Sequence, residues 1–176
     1  MDSLQGKFEH CTVVGDKEPN RTEVFAEVLL NFRRVNLVYM TRDVRTVAAS
    51  WQRRADDVND SWVAQWDCIA AARRWNGQNQ TIARLLDMDD AVRARIHVLD
   101  YESFFGGDRE SLLGLFGFLN LDPLPIVDAW EAMVSRYQQQ IAGKPLLLSE
   151  DQVDSVLDVA DMTTYLALRR AAGVSI

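Results

Sequence analysis

The sequence predicts an α/β fold whose short parallel sheet has about three strands, flanked and capped by helices. Apolar runs of strand length stand at residues 10–14, 35–40 and 95–99. The longer segments between them place apolar residues at every third or fourth position, as one buried face of a helix requires. Strands that alternate with helices form βαβ units and parallel sheets. We expect a single domain spanning 1–176, because this length suits one hydrophobic core.

Composition and charge argue against several classes of protein. The net charge of −7 argues against a general binder of nucleic acids or membrane surfaces. No apolar run approaches the roughly 20 residues that span a bilayer, and the first residues lack the basic-then-apolar pattern of a secretion signal. The sequence therefore predicts a cytoplasmic protein without a membrane span.

Residues 35–51 predict a strand that leads directly into a helix. The apolar run ends before Arg42, and from Val44 onward the apolar residues recur at helical spacing. Such a turn points backbone N–H groups and the positive end of the helix dipole at one place, which favours an anion. Arg42 stands at the strand's carboxyl end, and Ser50 lies two turns along the helix. This pattern predicts a phosphate or sulfate site; in the alternative interpretation, Arg42 only pairs with a carboxylate such as Asp43.

The segment from Arg42 to Trp51 resembles the 3′-phosphate-binding motif of sulfotransferases that use 3′-phosphoadenosine 5′-phosphosulfate (PAPS). In that family an Arg after a core strand and a Ser eight positions later hold the 3′-phosphate, and Arg42 and Ser50 have this spacing. Many members have Pro where this chain has Val44, which is a mild departure because Pro there only preorganises the helix start. The resemblance implies that Arg42 and Ser50 bind the nucleotide co-substrate.

The charged loop at residues 15–19 reads Gly-Asp-Lys-Glu-Pro and has two interpretations. On its own it is a solvated turn before the next helix. It also resembles the Gly-Asp-Lys-Thr-Pro segment of bacterial sulfotransferases, which implies that Lys17 lies near the transferring sulfuryl group. Cytosolic members have their catalytic His where this chain has Pro19, so Glu18 is the candidate replacement for the general base.

A second site residue follows the strand at 95–99. The segment from Asp100 to Phe104 resembles the family's Arg-Tyr-Glu-Asp-Leu, whose Tyr contacts the adenine end of the nucleotide. The resemblance therefore implies that Tyr101 contacts adenine; in the alternative interpretation Tyr101 only covers the core.

The remaining pattern predicts the helices around these strands. One amphipathic helix spans 22–34, with Val24 and Phe32 among its core residues, and a long one spans 61–88, with Trp62 and Trp66 in the core. Further helices begin after Asp108, after the prolines at 123 and 125, and after Ser149, which is followed by early acidic residues. These helices complete the predicted α/β domain.

One family element is absent from the sequence. Sulfotransferases begin with a strand and a loop of the type Pro-x-Ser-Gly-Thr-Thr that holds the 5′-phosphosulfate, and residues 1–10 contain no such pattern. The expected architecture is therefore a P-loop-NTPase-like sulfotransferase fold without its first strand, with the inner edges of two strands unpaired. A fragment, a degenerate relative, or a chain completed by a partner or by a swapped dimer would each explain this.

The resemblance implies transfer of a sulfuryl group from PAPS to a hydroxyl or amine of a small molecule or carbohydrate, with no metal required. Because the loop is absent, we expect this chain to keep only the 3′-phosphate-binding half and to lack transferase activity by itself. One alternative is a non-catalytic nucleotide-binding or protein-interaction scaffold. A P-loop kinase relative is disfavoured, because no Walker lysine motif is present.

Overall fold

The computed structural model describes residues 11, 13–17, 21–63, 65–141 and 148–175. It shows a mostly helical α/β fold with a two-stranded parallel sheet and flanking helices. In chain order the elements are α1 Thr22–Asn31, β1 Leu37–Thr41, α2 Val44–Asp56, α3 Cys68–Leu86, α4 Asp90–Arg93, β2 Ile96–Asp100, α5 Tyr101–Gly106, α6 Arg109–Leu119, a 3-10 turn Leu124–Ile126, α7 Val127–Ile141, α8 Glu150–Val159 and α9 Met162–Ala171.

The two strands pair in parallel along their whole length. Leu37 lies opposite Ile96, and Thr41 lies opposite Asp100. The ladder begins with the Leu37 N–H group, which donates to the Arg95 carbonyl at 2.8 Å. The predicted strands at 35–40 and 95–99 are thereby confirmed, and so is their parallel arrangement.

The sheet differs from the sequence-based expectation in two respects. Cys11, Val13 and Val14 belong to no strand, and Val13 and Val14 are 46% and 58% exposed; the rest of the predicted strand at 10–14 lies outside the described residues. An apolar run forms a strand only where a neighbouring strand takes up its backbone groups, and no ladder includes these three residues. The expected unpaired inner edges are also wrong, because β1 and β2 pair directly with each other.

Three hydrophobic clusters hold the helices on the sheet. One lies under α1, α3 and α9, and its members include Leu29, Leu37, Ile82, Ile96 and Leu168. Another lies on the opposite face under α5, α6 and α7, with Leu99, Phe104, Leu112, Trp130 and Val134. The third joins α2 and α3 to α8 and α9 through Val44, Ala48, Trp75, Val156 and Tyr165. Together they leave the carboxyl ends of both strands beside α2, α5 and α9.

Two predicted helices have different limits in the structure. The helix predicted for 61–88 begins only at Cys68, because the Asp67 side chain accepts hydrogen bonds from the N–H groups of Ile69 and Ala70 and caps the helix there. Trp62 and Trp66 consequently lie in the preceding loop, where Trp66 is 44% exposed rather than in the core. Helix α1 ends at Asn31 instead of 34. The predicted core residues are exposed, both Val24 within the helix and Phe32 just after its end.

Among the described helices, none combines the length and the apolar character that crossing a bilayer requires.

Candidate anion-binding site at the carboxyl edge of the sheet

The candidate site lies where both strands end. Arg42 directly follows β1, and Tyr101 directly follows β2 as the first residue of α5. Since the strands are parallel, their carboxyl ends meet at one edge of the sheet, which is where open α/β sheets bind ligands. The two residues predicted from separate segments are therefore brought together by the fold.

The guanidinium group of Arg42 lies over the aromatic ring of Tyr101. Its guanidinium carbon lies 4.0 Å from the centre of the ring, within the range of a cation–π contact. Its Nε atom is buried and has no hydrogen-bond partner among the described residues. No carboxylate in this part of the chain forms an ion pair with Arg42. The residue therefore presents a positive charge whose hydrogen-bonding capacity is not fully used.

A residue of helix α3 hydrogen-bonds to the backbone of Arg42. The indole N–H of Trp75 donates to the Arg42 carbonyl oxygen at 2.8 Å, and Trp75 itself is only 5% exposed. A buried donor that fixes the carbonyl also fixes the direction in which the Arg42 side chain leaves the turn. Trp75 thus positions the candidate anion-binding residue.

Asp43 is the partner of Arg45 and not of Arg42. Its carboxylate accepts the Arg45 backbone N–H at 2.8 Å and the Arg45 Nη2 at 2.7 Å. Burial alone would raise the pKa of Asp43, but the hydrogen bonds and charge of Arg45 outweigh burial and hold the pKa below its usual value. The pairing of Arg42 with Asp43 is thereby contradicted. The same contact shows that Asp43 takes up an N–H group at the start of α2 that could otherwise face an anion.

Glu102 reaches back from α5 to the turn after β1. Its Oε1 accepts the Asp43 N–H at 3.1 Å, while its Oε2 is buried without a hydrogen-bond partner among the described residues. Burial raises the pKa of Glu102, and the neighbouring carboxylates of Asp100 and Asp43 add to the rise. The Thr41 hydroxyl is a further buried group without such a partner. Thr41, Arg42 and Glu102, which stand at the carboxyl ends of the two strands, therefore each carry a buried polar atom without a hydrogen-bond partner among the described residues.

A buried ion pair closes the site from the side of α9. Asp100, at the end of β2, is 1% exposed, and its Oδ2 accepts from the Arg169 Nε at 2.8 Å. Its Oδ1 accepts hydrogen bonds from both the N–H and the hydroxyl of Ser103. Asp100 thereby caps the start of α5. Asn76 of α3 fixes the start of α9 by accepting the Asp161 N–H at 2.7 Å. Arg169 is thus placed against the strand end by contacts distant in sequence.

Tyr101 belongs to an aromatic group on the other side. Its ring centre lies 4.4 Å from that of Phe105 and 5.6 Å from that of Tyr137 on α7. Burial raises the pKa of the Tyr137 hydroxyl, with a further contribution from Tyr101. One face of the Tyr101 ring is covered by Arg42, so in this conformation the ring supports the guanidinium group.

The other predicted site residues are not joined to this cluster by any described contact. Ser50 lies half-buried in α2, and its hydroxyl makes no hydrogen bond to another described residue. Lys17 is exposed, and its backbone N–H donates to the Asp16 carboxylate at 2.8 Å. Glu18 lies outside the described residues. The structure therefore unites Arg42 with Tyr101 and leaves the roles of Ser50, Lys17 and Glu18 as predictions.

Sequence reasoning missed three residues of the site. Glu102 carried a local signal, since it is an acidic residue just after the end of a strand. Trp75 and Arg169 carried none, because they meet Arg42 and Asp100 across separations of 33 and 69 positions. No family model matches this chain, and no curated protein or solved structure is significantly similar to it.

Proposed function

We propose that this chain binds the 3′-phosphate of PAPS, or of the product adenosine 3′,5′-bisphosphate, as the nucleotide-binding half of a sulfotransferase-like protein. The observation that carries the proposal is Arg42. It stands at the carboxyl edge of a parallel sheet with a buried Nε that has no hydrogen-bond partner and with no carboxylate ion pair among the described residues.

The physical argument concerns the cost of leaving such a group unpaired. A buried donor on a charged side chain without a partner is destabilising by about 1–3 kcal/mol or more. A phosphate oxygen removes this cost and adds a charge-assisted hydrogen bond, and the planar guanidinium group suits bidentate binding of phosphate. Phosphate is therefore the ligand group that the chemistry of Arg42 favours.

Tyr101 and Ser50 have different parts in the proposal. Tyr101 supports the guanidinium plane through the 4.0 Å contact, so it positions Arg42 for the phosphate. Ser50 contributes its hydroxyl to the same phosphate, as the resemblance to the sulfotransferase motif implies; the Arg42 side chain must then extend along α2 to share a ligand with it. An adenine contact by Tyr101 remains a prediction, and it requires a part of the ring that Arg42 does not cover.

The transfer step itself is proposed only for a complete sulfotransferase site. There, the sulfuryl group passes from PAPS to a hydroxyl or amine of a small molecule or carbohydrate, with Lys17 near the sulfuryl group and Glu18 as the candidate base. Because the sequence has no Pro-x-Ser-Gly-Thr-Thr loop for the 5′-phosphosulfate, we expect the purified chain to bind the nucleotide without transferring sulfate. The cytoplasmic location expected from the sequence belongs to the same proposal.

The second candidate function is a non-catalytic nucleotide-binding or protein-interaction scaffold. Its specific support lies at the start of α2. The Asp43 carboxylate there accepts the Arg45 N–H, which an anion could otherwise bind. A transfer assay with radiolabelled PAPS and a panel of phenols, alcohols and sugars tests both, because neither function includes transfer by this chain alone. Transfer above background shows that other residues replace the missing loop and contradicts both.

Calorimetric titration tests the proposed function. Adenosine 3′,5′-bisphosphate and adenosine 5′-monophosphate differ only in the 3′-phosphate, so they form a matched pair of ligands. We expect the bisphosphate to bind at least about tenfold more tightly, which corresponds to one charge-assisted contact. Equal affinities for the two nucleotides, or no binding of either, contradict the proposal.

A further inference from the structure

The outer edge of β2 borders a cavity distinct from the candidate anion-binding site. Its volume is about 460 Å³, within the range of about 300–1,000 Å³ that ligand sites have. The walls are formed by Ile96 and Val98 of β2, by Ala83 and Leu86 of α3, and by Ala167 and Ala171 of α9. The cavity therefore lies where a third strand would extend the sheet.

The backbone of β2 presents groups to this cavity that no described residue pairs with. The Leu37 N–H donates to the carbonyl of Arg95, so the ladder with β1 uses Arg95 and then every second residue of β2. The N–H and C=O groups of Ile96 and Val98 consequently point to the opposite edge. Within the described part of the chain they make no hydrogen bond there. Such an edge is a template for another strand.

The walls suit a polypeptide backbone lying close to β2. Ala83, Ala167 and Ala171 have short side chains, which leaves room between the strand and the two helices. Asp87 and Arg93 line the end nearest the start of β2, and the Arg93 Nε is already donating to the Leu86 carbonyl at 2.8 Å. His97 of β2 also lines the cavity, so the lining is apolar apart from this imidazole and one charge of each sign at its end.

We propose that this edge binds an extended segment of another protein chain, which becomes the third strand of the sheet. Its backbone hydrogen-bonds to Ile96 and Val98, and small apolar side chains at alternate positions contact the alanines of α3 and α9. Asp87 and Arg93, which carry opposite charges at the cavity's end, suit polar residues at the ends of the segment. They disfavour a segment with a large net charge of either sign. The proposal is independent of nucleotide binding at Arg42.

The unpaired backbone groups decide between the alternative occupants. An apolar small molecule would cover the alanines but leave the N–H and C=O groups of Ile96 and Val98 unsatisfied. A second folded copy would bring its own β2 edge with α3 and α9 already packed beside it. A separate peptide segment satisfies both the apolar walls and the edge.

The probe is a fluorescent, N-acetylated and C-amidated heptapeptide, Thr-Val-Ala-Val-Ala-Val-Thr, titrated against the full chain and followed by anisotropy. Two control peptides carry backbone N-methyl groups at the odd or at the even positions. Only one edge of an added strand faces β2, so one of these peptides is expected to lose binding and the other to keep it. No binding of the parent peptide, or equal binding of all three, overturns the proposal.

A cavity-filling variant locates the binding. Ala167 is exposed on α9, so Ala167→Leu fills the cavity without overpacking the core; Ala132→Leu on α7 is the matched control. We expect Ala167→Leu to weaken binding of the parent peptide by at least about tenfold, with Ala132→Leu unchanged and both thermal midpoints close to that of the wild type. Wild-type affinity in a folded Ala167→Leu variant overturns the proposal, as does concentration-dependent self-association that excludes the peptide.

Discussion

The guanidinium carbon of Arg42 lies 4.0 Å from the centre of the Tyr101 ring, so the residues that directly follow the two strands contact each other. This contact makes Tyr101 a support for Arg42. The first prediction separates that role from direct contact with adenine.

Tyr101→Leu removes the ring, whereas Tyr101→Phe keeps it. A cation–π contact is worth about 0.5–2 kcal/mol, so Tyr101→Leu is expected to weaken adenosine 3′,5′-bisphosphate binding roughly 2- to 30-fold, with Tyr101→Phe close to the wild type. Calorimetry with adenosine 5′-monophosphate is the control. An equal loss for both nucleotides would assign Tyr101 to adenine instead.

Ser50 is predicted to contribute a single hydrogen bond to the 3′-phosphate. Ser50→Ala should therefore lower the affinity for adenosine 3′,5′-bisphosphate by about 0.5–1.5 kcal/mol and leave that for adenosine 5′-monophosphate unchanged. Isothermal titration measures both. Thr46→Ala is an unsuitable control, because the Thr46 hydroxyl donates to the Asp43 carbonyl at 2.8 Å; Ala49→Ser, one position away, is preferable. An unchanged affinity in Ser50→Ala removes Ser50 from the site.

Glu102 should make stability depend on pH. Burial raises its pKa above the ordinary 4.5, so the folded protein keeps this proton to higher pH than the unfolded chain. The free energy of unfolding then falls as the pH rises from about 4.5 through the folded-state pKa. Glu102→Gln retains an oxygen for the Asp43 N–H and carries no such proton, so its stability relative to the wild type should increase across this range.

Urea unfolding of both proteins at several pH values measures that difference. The lowered pKa values of Asp43 and Asp161 act in the opposite direction at lower pH. The contribution of Asp161 is the same in the two proteins and cancels, whereas that of Asp43 changes because its carboxylate interacts with Glu102. If the difference in unfolding free energy between the wild type and Glu102→Gln stays constant between pH 4 and pH 7, the pKa of Glu102 is not raised by folding, and the prediction is contradicted.

The Asp100–Arg169 pair is expected to stabilise the fold. Asp100→Ala breaks the pair and removes the helix cap that Asp100 forms with the Ser103 N–H. The free energy of unfolding should fall by about 3 kcal/mol. This is the lower end of the range for buried pairs, because Arg169 keeps 26% of its side chain exposed. Asp100→Asn keeps the cap and should lose less. Asp154→Ala, on the exposed side of α8, should leave urea unfolding unchanged. Equal stability of Asp100→Ala and the wild type would contradict the assignment.

Local signals predicted much of this fold. The strands at 35–40 and 95–99 are short apolar runs that end at polar residues, and both form. The caps at Asp108 and Ser149 were also predicted, because a capping side chain and its N–H partners lie within a few residues of each other. Arg42 and Tyr101 could be placed at one sheet edge for the same reason, since each directly follows a strand.

The errors come from features that no local pattern shows. The helical spacing of Trp62 and Trp66 continues into α3, so the pattern does not reveal that Asp67 caps a helix beginning at Cys68. The apolar run at 10–14 has the composition of a strand, but among the described residues no strand pairs with Val13 or Val14. Trp75 and Arg169 reach the site only through the packing of α3 and α9, which sequence spacing does not specify.

Binding of adenosine 3′,5′-bisphosphate to Arg42→Ala tests the central claim most directly. Arg84→Ala removes the same charge from the distal part of α3 and is the matched control; it lies nine residues from Trp75, or about 13 Å along the helix. We predict that Arg42→Ala loses roughly 1.5–3 kcal/mol of binding free energy, with Arg84→Ala equal to the wild type and both variants folded. Equal affinity of the wild type and Arg42→Ala in calorimetry would contradict the account.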